Sequence, residues 1–132
     1  MITERLIQHS YATFDIDHRN EWFYLNWIGE KNEIDINEIC AQILPEIRKY
    51  GFTKVLNDNR SVTGIWNPEL KYITDEWFRD IRQAGIRHFA WISNENFIHR
   101  VILESFIRSL QGAPAIRVFD TAEEAEAWLR QM

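Results

Sequence analysis

The stretch AGIRHFAWISNEN, residues 84–96, decides the fold predicted for this chain. Gly85 ends a run with helical spacing, Ile86–Ile92 is a short apolar run typical of a buried strand, and the polar loop Ser93–Asn96 follows it. The same order of helix, strand and polar loop recurs on both sides of this stretch. Such alternation predicts a single α/β domain, in which crossover helices cover a mixed β-sheet.

Working outward from this stretch, the pattern predicts an N-terminal antiparallel hairpin and then strand–helix crossover units with about four helices. The hairpin joins Ala12–Asp17, whose clean alternation predicts a half-exposed edge strand, to the apolar run Trp22–Ile28. The remaining strands are predicted at Lys54–Asp58, Ile86–Ile92 and Ala115–Phe119, and the helices begin near Asp35, Pro68, Phe97 and Thr121. Asp35 and Thr121 are the predicted N-caps, each with a glutamate three residues later. We expect one domain over residues 1–132, with an N-terminal segment, 1–11, before a core spanning 12–131.

Composition excludes several kinds of partner. The 132 residues carry a formal net charge of -5 with scattered Lys and Arg, whereas a nucleic-acid-binding face needs clustered basic residues. No apolar stretch is long enough to cross a bilayer, and the charged start of the chain does not resemble a signal peptide. The single cysteine, Cys40, lies on the apolar stripe of a predicted helix, where we expect it to be buried. We therefore expect a cytoplasmic protein without a disulfide.

Polar residues follow two neighbouring predicted strands. Asn57–Gly64 leaves the carboxyl end of one strand and Ser93–Asn96 leaves the next, so parallel strands would bring both segments to one edge of the sheet. The expected binding edge consists of Asp58, Asn59, Arg60, Ser61, Thr63, Ser93 and Asn94. The alternative is that these residues only form turns, in which Asn, Asp, Ser and Gly are common anyway.

The sequence favours a protein without catalytic, cofactor or metal chemistry. Neither polar loop contains a histidine for acid–base catalysis, and no histidine has neighbours at metal-ligand spacing. Asp15 and Asp17 alternate on one strand face and could form a carboxylate pair, although a solvated edge strand explains them better. Of the possible functions, a small enzyme that uses Asp58 and Arg60 is the one that the sequence favours least. We expect no enzyme activity, no cofactor and no metal.

Two further features suggest binding. Ser61 and Thr63 are candidate phosphorylation sites, because Arg60 and a following helix end could stabilise a phosphate there.

The chain is rich in aromatic residues, which either fill the core or bracket an apolar pocket. The chain could also form a homodimer, either through the strand Ala12–Asp17, although Asp15 and Asp17 oppose sheet extension, or through a helix with spare aromatics, such as Phe78 or Trp66. The candidate pocket residues are Trp66, Trp77, Trp91, Phe97 and Phe106.

Several short sequence segments, and the order in which they occur, resemble those of the STAS-like (SpoIIAA-like) proteins, which are small bacterial domains related to anti-sigma-factor antagonists. The resemblance covers Ala12 to Leu129. It rests on Trp27-Ile28-Gly29, Val55–Arg60, Trp77 before Ala84-Gly85, Phe89–Ile92 and Phe119–Leu129.

This resemblance implies a sheet of four or five strands with helices mainly on one side, and a non-enzymatic role in regulation or ligand sensing. In the antagonist branch a kinase phosphorylates a serine before a helix and thereby blocks partner binding. Ser61 and Thr63-Gly64 are the nearest matches here, since the usual Asp-Ser-Ser/Thr-Gly phrase is absent. We expect a cytoplasmic protein-interaction domain, and the alternative is a carrier or sensor that holds a small apolar, lipid-like ligand between sheet and helices.

Overall fold

The strands of the sheet lie side by side in the order in which the chain makes them. The computed structural model describes residues 3–30, 32–63, 76–93 and 97–132, apart from the side chain of His99. Within these ranges, six strands form one sheet in the order β1-β2-β3-β4-β5-β6. They span Glu4–Gln8, Ala12–Asp17, Trp22–Gly29, Lys54–Val62, His88–Ile92 and Ala115–Phe119.

The sheet is mixed, as the sequence predicts. β1, β2 and β3 pair in antiparallel fashion, which confirms the N-terminal hairpin, and β3 to β6 are all parallel. Parallel neighbours need crossover connections, and helices supply them. The described helices are α1 (Glu33–Tyr50), α2 (Phe78–Gln83), α3 (Phe97–Ser109) and α4 (Ala122–Gln131).

The helix ends follow from local chemistry. Thr121 caps α4 by accepting a 3.2 Å hydrogen bond from the backbone N–H of Glu124, which confirms the predicted N-cap, and its hydroxyl donates a 3.0 Å hydrogen bond to the Glu124 carboxylate. The predicted cap of α1 is wrong by three residues. Asn32 is the N-cap, and its side chain accepts a 2.8 Å hydrogen bond from the backbone N–H of Asp35. Gly51, at φ 75°, ends α1 in the left-handed conformation that glycine adopts without strain.

Two apolar cores lie on opposite faces of the sheet. Residues of α1, α2 and α3 pack with the larger core on one face. On the other face α4 packs across β4, β5 and β6, where Leu129 and Ala125 join a smaller core with Trp22 and Phe119. Three of the four described helices thus share one face, in agreement with the arrangement that the resemblance implies.

The N-terminal part of the sheet differs from the prediction. Residues 4–8 form an additional strand, β1, so β2 is an inner strand and all six of its residues are buried. Leu6 is the extra residue of a β-bulge between the pairs of Arg5 and Ile7, which breaks the period-two pattern that would reveal a strand. The sheet therefore has six strands rather than four or five, and it begins within the segment predicted to precede the core.

Candidate functional site

Strand β4 continues past the end of its neighbour β5. The pairing of the two strands ends where Asp58 faces Ile92, but β4 runs on to Val62, which pairs with Gly29 of β3. The sequence predicts a loop from Asn59 onward, and this is wrong for residues 59–62. Their polar side chains are typical of a loop, but the long strand β3 supplies a partner for the extra residues. Parallel β4 and β5 do bring their carboxyl ends to one edge of the sheet.

A β-bulge lies in this extension. Asn59 and Arg60 of β4 lie opposite the single residue Trp27 of β3. An inserted residue of this kind bends the strand and re-aims the side chains around it, and such bulges are frequent next to functional sites.

The polar residues of β4 divide between the two faces of the sheet. On the face covered by α1, α2 and α3, the Trp27 indole N–H donates a 2.8 Å hydrogen bond to Asn57 Oδ1, and Asn57 Nδ2 donates to Asn59 Oδ1 at 3.2 Å. Both asparagines are buried. This network stabilises the end of β4 from inside the core and leaves these amides little contact with solvent.

Asp58 anchors a second network on the α4 side. Its carboxylate accepts hydrogen bonds from the Tyr24 hydroxyl at 2.6 Å and from Arg60 Nη2 at 2.7 Å. The backbone N–H and Nε of Arg60 both lie 3.0 Å from Asp58 Oδ1. The Asp58 side chain is 4% exposed, whereas that of Arg60 is 50% exposed. A buried carboxylate is thus neutralised by a guanidinium that still reaches solvent.

The ionisation of this cluster follows from these contacts. Burial alone would raise the pKa of Asp58, but the hydrogen bonds from Arg60 and Tyr24 outweigh burial and lower that pKa. Burial and the hydrogen bond to Asp58 raise the pKa of Tyr24, and Asp58 raises that of Arg60. Asp58 is therefore a fixed anion whose two oxygens are both occupied, and this is an unsuitable arrangement for a general base.

The hydroxyl residues of the predicted edge occupy different environments. Ser61 and Thr63 are exposed, and the backbone N–H of Thr63 donates a 3.1 Å hydrogen bond to the Gly29 carbonyl. Ser93 is buried, and its backbone N–H donates to the Phe119 carbonyl at 2.9 Å. Asn94 lies outside the described residues. Of the predicted edge, Arg60, Ser61 and Thr63 reach solvent, while Asp58, Asn59 and Ser93 are buried.

Most of the candidate pocket aromatics are parts of the core. Trp77, Trp91 and Phe106 are buried, and the Phe78 ring lies among them at centroid distances of 5.1, 6.3 and 6.2 Å respectively. Phe78 is itself 2% exposed, so it is not the spare aromatic expected for self-association. Phe97 is 78% exposed and lies on the surface rather than beneath the edge. Trp66 lies outside the described residues.

The paired aspartates of β2 serve separate structural purposes. Arg5 of β1 forms an ion pair with Asp15. Asp17 accepts hydrogen bonds from the backbone N–H groups of Arg19 and Asn20, each at 3.0 Å, and so stabilises the turn between β2 and β3. These contacts explain why both carboxylates are buried despite facing away from the larger core. Across the described ranges, no group of three or more His, Cys, Asp or Glu residues could hold a metal ion.

Sequence reasoning missed a set of exposed apolar side chains at the same edge. β3 and β5 end there, and α1 and α3 begin there. In the part of the chain that the structure describes, five of the six large apolar residues that are exposed lie at these ends; the sixth, Met132, lies at the end of α4. We call the five residues the apolar rim: Ile28, Ile34, Phe97, Ile98 and Val101.

A sequence signal for the rim does exist. α3 carries apolar residues at 97, 98, 101, 102, 103, 106 and 107, which is more than one side of a helix can bury against a sheet. Leu103 and Phe106 face the core, so the residues on the opposite side have to be exposed.

Comparison with known proteins supports the fold. Residues 22–130 match the sequence model of the SpoIIAA-like family. The NMR structure of the protein TM1081 aligns with a TM-score of 0.62 and 18% identity, covering 100% of both chains. The unphosphorylated form of the anti-sigma factor antagonist SpoIIAA aligns with a TM-score of 0.57 and 13% identity, covering 99% of this chain and 100% of the other. No curated protein matches this chain in sequence. None of the helices in the described residues is both long and apolar enough to span a membrane.

Proposed function

Because the chain belongs to the SpoIIAA-like family, we propose that it is a non-enzymatic regulatory domain that binds another protein through the carboxyl edge of its sheet. An anti-sigma factor antagonist shares the fold. We place this activity in the cytoplasm, in keeping with a single cysteine, Cys40, that is free and buried.

The apolar rim is the observation that carries this proposal. Phe97 and Ile98 are 78% and 67% exposed, and Val101 continues the same patch one helical turn later. Contiguous apolar groups exposed beside polar ones mark sites where soluble proteins bind partners. The exposed Ser61 and Thr63 at the end of β4 add hydrogen-bonding groups at the same edge. An apolar centre with polar surroundings is the usual composition of a protein interface.

The state of Asp58 supports a binding role over a catalytic one. A catalytic carboxylate has to exchange a proton or contact a substrate, and both Asp58 oxygens are engaged with Tyr24 and Arg60. If Asp58 released Tyr24 and Arg60 to bind a substrate, its buried negative charge would lose the groups that compensate it. In our proposal the cluster holds the extended end of β4 in place, and the exposed residues beyond it contact the partner.

Ser61 is the residue through which such binding would be regulated. It is exposed, and it pairs in register with Ile28 of the apolar rim. A phosphate on Ser61 would place about -1.5 to -2 charges beside an apolar contact and oppose docking. Arg60 would compensate this charge only by weakening its ion pair with Asp58. Thr63, also exposed, is the second candidate for this modification.

The test is affinity purification from cells of the source organism, with two matched variants. Phe97→Ser with Val101→Ser removes the centre of the rim, and Met132→Ser removes an exposed apolar side chain elsewhere. We expect a protein that the wild type and Met132→Ser retain and the rim variant loses. That protein, once purified, should bind the wild type at least tenfold more tightly than the rim variant. Equal retention by all three chains would contradict the proposed edge.

Native and denaturing mass spectra of the purified protein distinguish the remaining outcomes. A bare polypeptide of monomer mass is expected before a partner is added. Extra mass lost on denaturation would instead support the carrier of a small apolar ligand. A doubled native mass in the wild type but not in the rim variant would identify a second copy of the chain as the occupant of the rim. Extra mass of one phosphate that survives denaturation would show that the chain is phosphorylated. Peptide mapping would then test whether Ser61 or Thr63 carries the phosphate.

A further inference from the structure

The opposite, amino edge of the sheet carries a cleft that the proposed function does not use. Its volume is about 480 Å³, within the range typical of sites for small molecules. The end of α2 and the segment leading into β5 form one wall, with Arg82, Gly85, Ile86 and Arg87, and the start of β6 forms the other, with Pro114 and Ala115.

Backbone hydrogen bonds fix the walls of the cleft. After α2, the N–H of Gly85 donates to the Arg82 carbonyl and the N–H of Ile86 donates to the Ile81 carbonyl, both at 3.0 Å. Gly85 has φ 120°, which side-chain-bearing residues rarely adopt. The N–H of Ala115 donates to the Arg87 carbonyl at 2.9 Å, which ties the two walls together. The backbone on both sides of the cleft is thus held in place by the fold itself.

The cleft concentrates positive charge on an acidic protein. Arg82 and Arg87 are exposed, and neither guanidinium forms an ion pair or hydrogen bond within the described ranges. The stem of Arg79 passes the far wall, since a Cβ on Gly112 would lie 3.6 Å from Arg79 Cγ. Burial, with the nearby charges of Lys54 and Arg87, lowers the pKa of His88 at this edge. Locally, therefore, the electrostatic environment favours an anion, although the whole chain carries -5.

We propose that this cleft binds the phosphate group of a small molecule through Arg82 and Arg87. Guanidinium groups are planar donors whose paired N–H groups match the oxygens of a phosphate. Between the two arginines, Ile86 and Pro114 are buried and Ala115 is exposed, so the floor of the cleft offers little apolar side-chain surface. The ligand is thus a small phosphate compound that the two guanidinium groups recognise, bound at the sheet edge remote from the apolar rim.

A two-dimensional ¹H–¹⁵N NMR titration tests this site with two probes, inorganic pyrophosphate and 1-naphthyl phosphate. Both should shift the amide signals of Gly85, Arg87 and Ala115 in a saturable manner, because both present phosphate oxygens to Arg82 and Arg87. Raising the ionic strength should weaken both, since the arginines are exposed. Shifts that fail to saturate, or that spread over the surface, would overturn the proposal.

Charge-removing variants separate a specific site from general attraction. Arg82→Gln and Arg87→Gln should each weaken naphthyl phosphate binding about tenfold, the loss expected for one charge-assisted hydrogen-bonding partner. Arg48→Gln is the matched control, because Arg48 is an exposed arginine in the last turn of α1 that does not line the cleft. An equal loss of affinity in all three variants would mean that phosphate is attracted by the general surface charge and not by a site in the cleft. Unchanged melting temperatures show that each variant is folded.

Discussion

The Tyr24 hydroxyl lies 2.6 Å from Asp58 Oδ2 and joins β3 to β4 diagonally, because Tyr24 pairs in register with Leu56, two residues before Asp58. The phenol satisfies one oxygen of a carboxylate that is almost excluded from solvent, and Arg60 satisfies the other. This contact holds the segment that leads to Ser61 at the candidate binding edge.

Tyr24→Phe should destabilise the fold through this contact. The substitution leaves the ring in place but removes a hydrogen bond to a charged, buried group, which typically contributes about 1.5–3 kcal/mol. Urea unfolding followed by circular dichroism measures the loss of unfolding free energy. Tyr50→Phe is the control, because the described structure gives the Tyr50 hydroxyl no hydrogen bond. A similar loss in both variants would mean that the Asp58 contact is unimportant.

Asp58 should also make stability depend on pH in the acid range. Its pKa in the folded protein is below the ordinary value of 3.8. A lowered pKa contributes stability above pH 3.8, and this contribution is lost as the pH falls through the folded-state pKa. The unfolding free energies of the wild type and Asp58→Asn should therefore differ most near neutral pH and converge in acid. A difference that stays constant between neutral pH and pH 3 would rule out this linkage.

The position of the α1 cap can be tested with two identical substitutions. Asn32→Ala removes the side chain that accepts the N–H of Asp35 and should lower the unfolding free energy by about 1 kcal/mol. Asn37→Ala changes an exposed residue inside the same helix, where alanine is the better helix former, so the unfolding free energy should stay equal or rise. An unfolding free energy that Asn32→Ala leaves unchanged would contradict the assignment of Asn32 as the cap.

Two phenylalanines of α3 should respond in opposite ways. Phe97 is 78% exposed, so Phe97→Ala should change the unfolding free energy by less than about 0.5 kcal/mol. Phe106 is 6% exposed and packs against Phe78, so Phe106→Ala should remove about 3–5 kcal/mol. Thermal or urea unfolding of both variants settles the orientation of the helix. A large loss with Phe97→Ala would place its ring in the core and remove the apolar rim.

The sequence predicted those elements whose periodicity is regular. Ala115–Phe119 and the N-cap at Thr121 have simple patterns, and the structure has them as predicted. β1 escaped prediction because the bulge at Leu6 interrupts its alternation. The extension of β4 through Val62 escaped because its polar residues are typical of a loop, and only the neighbouring strand reveals a pairing partner.

The site was harder to predict because its organisation depends on tertiary contacts. The sequence brings Asp58, Arg60 and Ser61 to one edge, and the structure places them there. The hydrogen-bond partners of the β4 side chains are on β3: Tyr24 binds Asp58 on one face of the sheet, and Trp27 binds Asn57 on the other. These contacts form only when β3 and β4 pair in the folded chain. The apolar rim depends in the same way on which side of α3 is covered.

The agreement between strand order and chain order has a consequence for synthesis on the ribosome. Each strand from β2 to β6 pairs with the strand made just before it, so a growing chain always presents the template that the next strand needs. Among the described strands, none has to insert between two that are already joined, and the sequence separation of sheet contacts stays small, which favours rapid folding. Helix α4 then covers β4, β5 and β6 as the last described element to emerge.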